Sequence, residues 1–144
     1  MSDFILVDGD KVLFLLMFGQ AMVWGPSGKL KGSGPGTLNG KKICVVGDEE
    51  SVEVANCGYL TSQYCIPGKG TVKIDSLASN QKARKTRTGQ KAVLLKGNLF
   101  SAVFSVQTPA KQPPPGPGSP IPDPTTEYFG QGMFSTTNRK FTGA

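Results

Sequence analysis

Turn-forming pairs that contain glycine divide this chain into short apolar segments. Asp8-Gly9, Asn39-Gly40, Gly47-Asp48, Pro67-Gly68 and Gly97-Asn98 each lie beside runs of apolar residues. Asp-Gly and Asn-Gly are preferred pairs for two-residue hairpin turns. A helix loses about 1 kcal/mol for each interior glycine, and this chain contains 19 of them. The pattern therefore predicts an all-β protein built from short strands and hairpins.

The segments between these turns have the residue patterns of strands. Residues 43–46 place apolar side chains on both faces, which indicates an inner strand. Residues 100–106 alternate between apolar and smaller residues, which is typical of a half-buried strand. We predict strands at 4–7, 11–18, 20–24, 41–46, 51–55, 70–75, 91–95 and 99–107. Segments 11–23 and 91–104 also echo each other, which hints at repeated hairpins.

Charge is distributed unevenly along the chain. The segment 82–96 contains six basic residues and no acid, and these equal the net charge of +6: Lys82, Arg84, Lys85, Arg87, Lys91 and Lys96. The first ten residues contain Asp3, Asp8 and Asp10 and no base. Residues 76–90 are the stretch most compatible with a short helix, and a mobile basic loop is the alternative. The basic segment is a candidate surface for polyanions.

The composition changes after Pro109. Residues 109–124 contain eight of the eleven prolines, which favours an extended polyproline II arm with a reach of roughly 50 Å. The last twenty residues contain scattered aromatic side chains in a polar background. We therefore divide the chain into a β domain (1–110), a proline-rich linker (111–124) and a C-terminal docking tail (125–144).

Catalytic chemistry has little support in this composition. Histidine, the commonest general base, is absent from the chain. Asp48, Glu49 and Glu50 are consecutive, and adjacent strand residues point to opposite faces, so we interpret them as a solvated turn. We predict that the protein is not an enzyme and assign no catalytic, cofactor-binding or metal-binding residue.

The cysteine count and the longest apolar run limit the remaining classes. Cys44, Cys57 and Cys65 are an odd number, which argues against a disulfide framework and favours a reducing compartment. Their spacing lacks the close pairs typical of zinc sites, so no cofactor is expected, with zinc as the alternative. The apolar run at 12–18 is too short to span a bilayer and follows acids, so we expect neither a membrane span nor a cleaved leader.

The phrase "LNGKKICVVGDEE" at 38–50 resembles a recurring phrase of PAAR and PAAR-like proteins, the caps on the spikes of contractile injection machines. Residues 38–41 resemble its hairpin and residues 46–48 its closing corner. Similar features follow at 66–74, at 91–106 and at Pro109-Ala110, so the resemblance covers residues 4–110. This chain departs from the family in one respect. The family's tip is typically held by a zinc ion bound to histidines and a cysteine, and this chain contains no histidine.

The resemblance implies a small conical β-fold whose broad base sits on the end of a trimeric β-helical spike. The cap would sharpen the tip for membrane puncture, bind as one copy per trimer and couple effectors or neighbouring baseplate proteins. One chain on a three-fold spike must present three similar edges, which repeated hairpins would supply. Contact with the target membrane would be transient. The resemblance also implies that the protein is assembled in the bacterial cytoplasm and delivered outside as part of the machine. The machine would be either a type VI secretion system or a contractile phage tail.

A second interpretation is a small β-barrel module that binds nucleic acid or another polyanion through residues 82–96. Such a surface contacts phosphates through its lysine and arginine side chains. The segment has no aromatic residue before Phe100, so it lacks the stacking platforms of single-strand binders. No nucleic acid is therefore expected as a partner of the spike cap.

Overall fold

The computed structural model describes residues 3–25, 27–136, 138 and 140–144. Met1, Ser2 and Pro26 of the predicted β domain, and Thr137 and Arg139 of the predicted tail, lie outside the described residues. The strands are β1 Asp3–Phe4, β2 Lys11–Phe14, β3 Met17–Phe18, β4 Ala21–Trp24, β5 Gly28–Lys29, β6 Thr37–Leu38, β7 Lys41–Lys42, β8 Glu53–Thr61, β9 Gly68–Ser76, β10 Lys82–Thr88, β11 Lys91–Leu94, β12 Phe100–Thr108, β13 Lys111–Gln112, β14 Ile121–Pro122, β15 Glu127–Ser135 and β16 Thr142–Gly143.

The predicted all-β class is confirmed. The helical segments of the described chain are two single 3-10 turns, Asp48–Ser51 and Ser79–Gln81. Neither these nor any other helix in the described ranges has the length and hydropathy needed to cross a bilayer.

Eight strands form one curled sheet in the order β3-β4-β8-β9-β12-β15-β2-β5. Only Leu15 and Leu16 separate β2 from β3, so these two strands follow one path. The Leu15 N–H donates to the carbonyl of Gln131 at 2.9 Å, and the Leu16 carbonyl accepts from the N–H of Val23 at 2.8 Å. The path is thus bonded to β15 on one side and to β4 on the other, which closes the sheet into a barrel.

The barrel consists of three consecutive hairpins that point the same way. They are β2–β4, β8–β9 and β12–β15, and each is antiparallel. Their turns lie at Gly19-Gln20, at 62–67 and at 109–126. We call the end that carries these turns the open end.

The opposite end of the barrel is closed by three short segments, 5–7, 43–45 and 93–95, which we call the triangle. They are joined pairwise by antiparallel bridges. The Leu6 N–H donates to Leu94 O at 3.0 Å, Leu94 N–H to Cys44 O at 2.9 Å, and Cys44 N–H to Leu6 O at 3.0 Å. This cyclic pattern gives the three segments an approximate three-fold arrangement. We call the end of the barrel that carries the triangle the triangle end.

A two-stranded element precedes each segment of the triangle. Hairpin β6–β7 leads into the segment at 43, and β10–β11 leads into the segment at 93. The third element pairs β1 with β16, so it is assembled from opposite ends of the chain. These elements are not the predicted repeat of 11–23 and 91–104, because β11 pairs with β10 and β12 pairs with β9 and β15. The observed repeat consists of the three two-stranded elements, one of which is completed only by the C-terminal residues.

Apolar side chains fill both sides of the triangle because neighbouring strand residues face opposite ways. Leu6, Cys44 and Leu94 face the barrel and are fully buried with its aromatic core. The residues beside them form a smaller cluster on the other side, made of Ile5, Ile43, Ala83, Val93 and Leu95. The predicted two-sided burial of residues 43–46 follows from this arrangement.

Three segments differ from the sequence-based expectations. Residues 82–88 form strand β10 rather than a helix or a mobile loop, because the segment pairs with β11 and buries Ala83. The proline-rich arm doubles back through the pair β13–β14 instead of extending. Residues 127–135, expected in a docking tail, form the barrel strand β15 between β12 and β2, because their inward side chains complete the core.

Candidate functional site

The acidic corner after the triangle segment 43–45 is structural. Asp48 Oδ2 accepts from the backbone N–H of Val45 at 2.8 Å and from that of Ser33 at 3.1 Å, and Oδ1 accepts from the Ser33 hydroxyl at 2.6 Å. Gly47 has φ of 108°, a conformation that side chains with a Cβ rarely adopt. Glu49 Oε1 accepts from the N–H of Gly47 at 2.7 Å. The three acids do not converge on one site.

The same corner occurs at the end of the first triangle segment. Asp10 Oδ2 accepts from the N–H of Val7 at 2.8 Å, and Gly9 has φ of 88°. Asp10 is buried, whereas Asp48 is half-buried. These two carboxylates therefore fix the chain where it leaves the triangle for the barrel, and their use is architectural.

Replacing Asp48 with alanine is expected to lower the free energy of unfolding by about 2 kcal/mol, because three hydrogen bonds to a carboxylate are lost. Urea denaturation monitored by circular dichroism measures the change. Glu50→Gln is the control, since Glu50 is exposed and its change should fall within about 0.5 kcal/mol. A larger loss for Glu50→Gln than for Asp48→Ala would contradict the structural role of Asp48.

The cysteines occupy separate environments. Cys44 lies inside the triangle, where burial raises the pKa of its thiol, with smaller contributions from Asp48, Asp10 and Asp8. Cys57 is buried at an irregularity of β8 and its thiol donates to Val54 O at 3.4 Å. Cys65 is exposed in the loop before β9.

A zinc ion of the family's kind does not fit this set. Burial disfavours the Cys44 thiolate that a metal requires, and the Asp48 carboxylate is already bonded to backbone and hydroxyl donors. Within the described ranges, no group of three or more cysteine or acidic residues could hold a metal ion. That the protein needs no cofactor stays a prediction.

The basic segment is divided between two places. Lys82, Arg84 and Lys85 line a cavity of about 670 Å³ beside the triangle. Arg87 lies nearer the turn of hairpin β10–β11, where its Nη1 donates to Gln90 O at 3.4 Å. Lys91 is exposed on β11, whereas Lys96 follows the triangle segment and donates its backbone N–H to Phe4 O at 2.9 Å. The six bases therefore do not form one continuous track.

At the open end, one carboxylate fixes the proline-rich arm to the barrel. Asp123 Oδ2 accepts from the Tyr59 hydroxyl at 3.1 Å and from the Tyr128 hydroxyl at 2.6 Å. The Tyr59 oxygen also accepts from the N–H of Ala110 at 2.8 Å. Burial raises the pKa of Tyr59 to about 12, and Asp123 adds to the shift. No local pattern in the sequence indicates this network, because Tyr59, Ala110 and the pair Asp123 and Tyr128 lie on separate segments.

Exposed apolar side chains concentrate on the hairpin β2–β4 and the neighbouring strand β15. Leu16 and Phe129 are the most exposed, at 60% and 59%. Met17 pairs with Met22 across the hairpin, and both are exposed. We call this set, completed by Trp24, the apolar strip: Leu16, Met17, Met22, Trp24 and Phe129. It occupies the outer surface of the barrel towards the open end.

Comparison with known proteins agrees with this architecture. The family model described as contractile injection system spike tip protein matches residues 1–144, which is the whole chain. No curated protein gives a significant match. The match confirms the resemblance to spike-tip proteins that residues 38–50 first indicated, and it implies association with a spike or baseplate. The chain belongs to the family of contractile injection system spike tip proteins.

Proposed function

We propose that this protein caps the end of a trimeric β-helical spike and sharpens the machine for membrane puncture. Its open end would dock on the spike and its triangle end would lead. The observation that carries this orientation is the arrangement of three hairpins, all directed towards one end. Family membership supports the association with a spike, and the common direction of the hairpins supports the orientation.

The three-fold arrangement supports binding of one copy per trimer. A trimer presents three equivalent surfaces around its axis, so a single chain needs three similar elements to match them. The hairpin turns at Gly19-Gln20, 62–67 and 109–126 supply one element for each spike subunit. The longest of them, the proline-rich arm, differs from the other two and would distinguish one spike subunit.

The distribution of surface chemistry supports the same orientation. The apolar strip lies towards the open end, and large exposed apolar patches commonly mark protein interfaces. The triangle end instead carries exposed bases on both of its hairpins, including Lys41, Lys42, Arg84 and Lys85. A charged surface remains hydrated as it leads, whereas an apolar surface gains by being covered.

The closed architecture suits a part that is driven through a barrier. The path of β2 and β3 is bonded on both sides, and a cyclic set of backbone bonds joins the triangle, so these parts of the main chain are paired. These features support a structural role, and the prediction that the protein is not an enzyme rests on that role. Cytoplasmic assembly before delivery, and coupling of effectors, belong to the same proposal.

The variant Leu16→Asp/Phe129→Asp is expected to bind the trimeric spike at least about 30-fold more weakly, since each charge would have to be buried on docking. The assay is co-purification with the spike, with mass photometry to count copies per trimer. Both side chains are largely exposed, so the melting temperature should change little.

Leu99→Asp is the matched control, because Leu99 is also exposed but precedes β12 at the triangle end. Electron microscopy of the complex then tests position, with the expectation of one copy at the end of the spike. Unchanged binding of the double variant, or three copies per trimer, would contradict the proposal.

A docking role of the C-terminal region has to be tested without disturbing the barrel. Deleting residues 111–144 would remove β15 from the barrel, so a loss of incorporation would report unfolding. The separable part is the exposed tip of the arm at 113–120, between β13 and β14. A docking role for the C-terminal region is therefore proposed for this tip alone.

A further inference from the structure

A concave groove lies beside the triangle, between strand β10 and the pair β1–β16. Its volume is about 670 Å³, within the range of small-ligand sites. Three basic side chains line it, Lys82, Arg84 and Lys85, together with the polar residues Asn80 and Asn98. Neither the family match nor the architecture of the barrel requires a basic groove at this place.

The three bases converge because β10 is irregular. Consecutive strand residues normally face opposite sides, and Ala83 is accordingly buried while Lys82 and Arg84 are exposed. The pairing of β10 with β11 shifts between Lys82 and Arg87, and Arg84 and Lys85 both line the groove within that shift. The backbone N–H of Lys85 donates to Ala144 O at 2.7 Å, which holds this stretch against the C-terminal residues.

The charged side chains that line the groove carry a net positive charge, since three are basic and one, Asp3, is acidic. Among the described residues, the one ion pair joins Lys73 to Glu53, and both lie on the barrel. Asp3 is the acid that lines the groove, and its carboxylate is occupied by backbone donors. Its Oδ1 accepts from Phe4 N–H at 2.7 Å and its Oδ2 from Gly97 N–H at 2.8 Å. Lys82, Arg84 and Lys85 are exposed, and none of them forms an ion pair among the described residues.

We propose that this groove binds phosphate groups of lipid headgroups on the target membrane. An arginine fork and neighbouring ammonium groups match phosphate oxygens in charge and geometry. The groove is larger than one phosphate needs, which leaves room for the rest of a headgroup. The encounter with a membrane rests on the proposed function, since the triangle end would lead the strike.

The groove is less suited to nucleic acid. Among the described residues that line it there is no aromatic side chain, so nucleobases have nothing on which to stack. Of the three remaining basic residues of the segment, Arg87 and Lys91 lie towards the hairpin turn and Lys96 does not line the groove. None of them extends the groove into a track for a phosphate backbone. A compact cluster of three charges fits a single headgroup better than a polymer.

Vesicle flotation with the purified full chain tests the proposal without the spike. Vesicles of phosphatidylcholine are compared with vesicles that also contain phosphatidylglycerol. The protein is expected to float only with the anionic vesicles and to be released by salt. The variant Lys82→Gln/Arg84→Gln/Lys85→Gln should bind about 100-fold more weakly, from the usual contribution of a basic residue near an anionic surface.

The matched control, Lys29→Gln/Lys69→Gln/Lys111→Gln, removes the same charge from exposed sites on other strands. It should change vesicle binding by less than about threefold, and melting curves check that both variants fold. If both variants lost the same affinity for anionic vesicles, binding would come from diffuse charge attraction, and the assignment of phosphate binding to the groove would be overturned. Unchanged binding of the first variant would overturn it as well.

Two further measurements identify the source of the phosphate. Calorimetry with inorganic phosphate should show much weaker binding than the vesicles do. Binding of free phosphate without vesicle binding would overturn the membrane assignment, and tighter binding of duplex DNA than of anionic vesicles would do the same. None of these measurements contains the spike. A failure to bind vesicles therefore leaves the docking proposal standing, and a failure to dock on the spike leaves the vesicle measurements interpretable.

Discussion

Replacing Gly70 with alanine is expected to lower the free energy of unfolding by about 3 kcal/mol, because the interior has no room for one more carbon. A Cβ at this position in β9 would lie 2.5 Å from Cζ of Phe104 and would also overlap the backbone carbonyl oxygen of Ser105. Phe104 cannot retreat, since it is fully buried and its ring lies 5.0 Å from that of Tyr59. The alanine would therefore force the strands apart.

Thermal unfolding measures this effect, and a fall of roughly 10 °C in the melting temperature is expected. Gly116→Ala is the matched control, since a Cβ there would meet no atom of the described residues within 4 Å. It should change stability by less than about 0.5 kcal/mol. If the Gly70→Ala variant had the same melting temperature as the Gly116→Ala variant, close packing of aromatic rings against strand glycines would not be what stabilises this barrel.

The same packing occurs at two glycines of β15. A Cβ on Gly130 would lie 2.7 Å from the Phe18 ring, and a Cβ on Gly132 would lie 2.6 Å from the Phe100 ring. Strand glycines usually weaken a sheet. Here they allow phenylalanine rings to lie close against the backbone, so the barrel can hold several large aromatic side chains.

Replacing Asp123 with alanine is expected to lower the free energy of unfolding by at least about 3 kcal/mol, because three hydrogen bonds to a carboxylate at the open end are lost. The carboxylate is buried and accepts hydrogen bonds from Tyr59, from Tyr128 and from the backbone N–H of Thr125, the last at 2.9 Å. Bonds to a charged acceptor contribute about 1.5–3 kcal/mol each, and a buried hydroxyl left without an acceptor adds its own desolvation cost. The arm would also lose a principal anchor on the barrel.

Chemical denaturation gives the stability change, and alkaline titration of tyrosine absorbance gives an independent readout. Asp123 contributes to the raised pKa values of both tyrosines, so its removal should move their ionisation to lower pH. Asp75→Ala is the control, because Asp75 is an exposed acid on β9. A tyrosine titration that does not move, together with wild-type stability, would show that the network contributes little.

The anchored arm matters for the proposed docking surface. Ala110 and Asp123 bring the two ends of the arm together, since the Asp123 N–H donates to Ala110 O at 2.8 Å. The tip at 113–120 is thereby held out at the open end as a short loop. Its position is set by the barrel, which is a better arrangement for contacting one spike subunit than a long free tether.

Local signals in the sequence were sufficient for the class of fold. Asn39-Gly40 predicts a hairpin because its backbone preference is intrinsic to those two residues, and β6–β7 turns there. Alternation from Phe100 to Val106 predicts strand β12 because successive side chains face opposite ways. Such signals operate within a few residues, so they predict elements and their burial without any knowledge of partners.

Pairing between distant segments is what only the tertiary structure decided. Strand β16 completes the third element of the triangle end by pairing with β1, and no local pattern connects the two ends of a chain. Strand β15 follows a proline-rich arm, so composition suggested a tail where the barrel needed a strand. Asp48 and Asp123 acquire their roles from donors on other segments. Hydrogen-bond partners far apart in sequence leave no short-range trace, because folding alone brings them together.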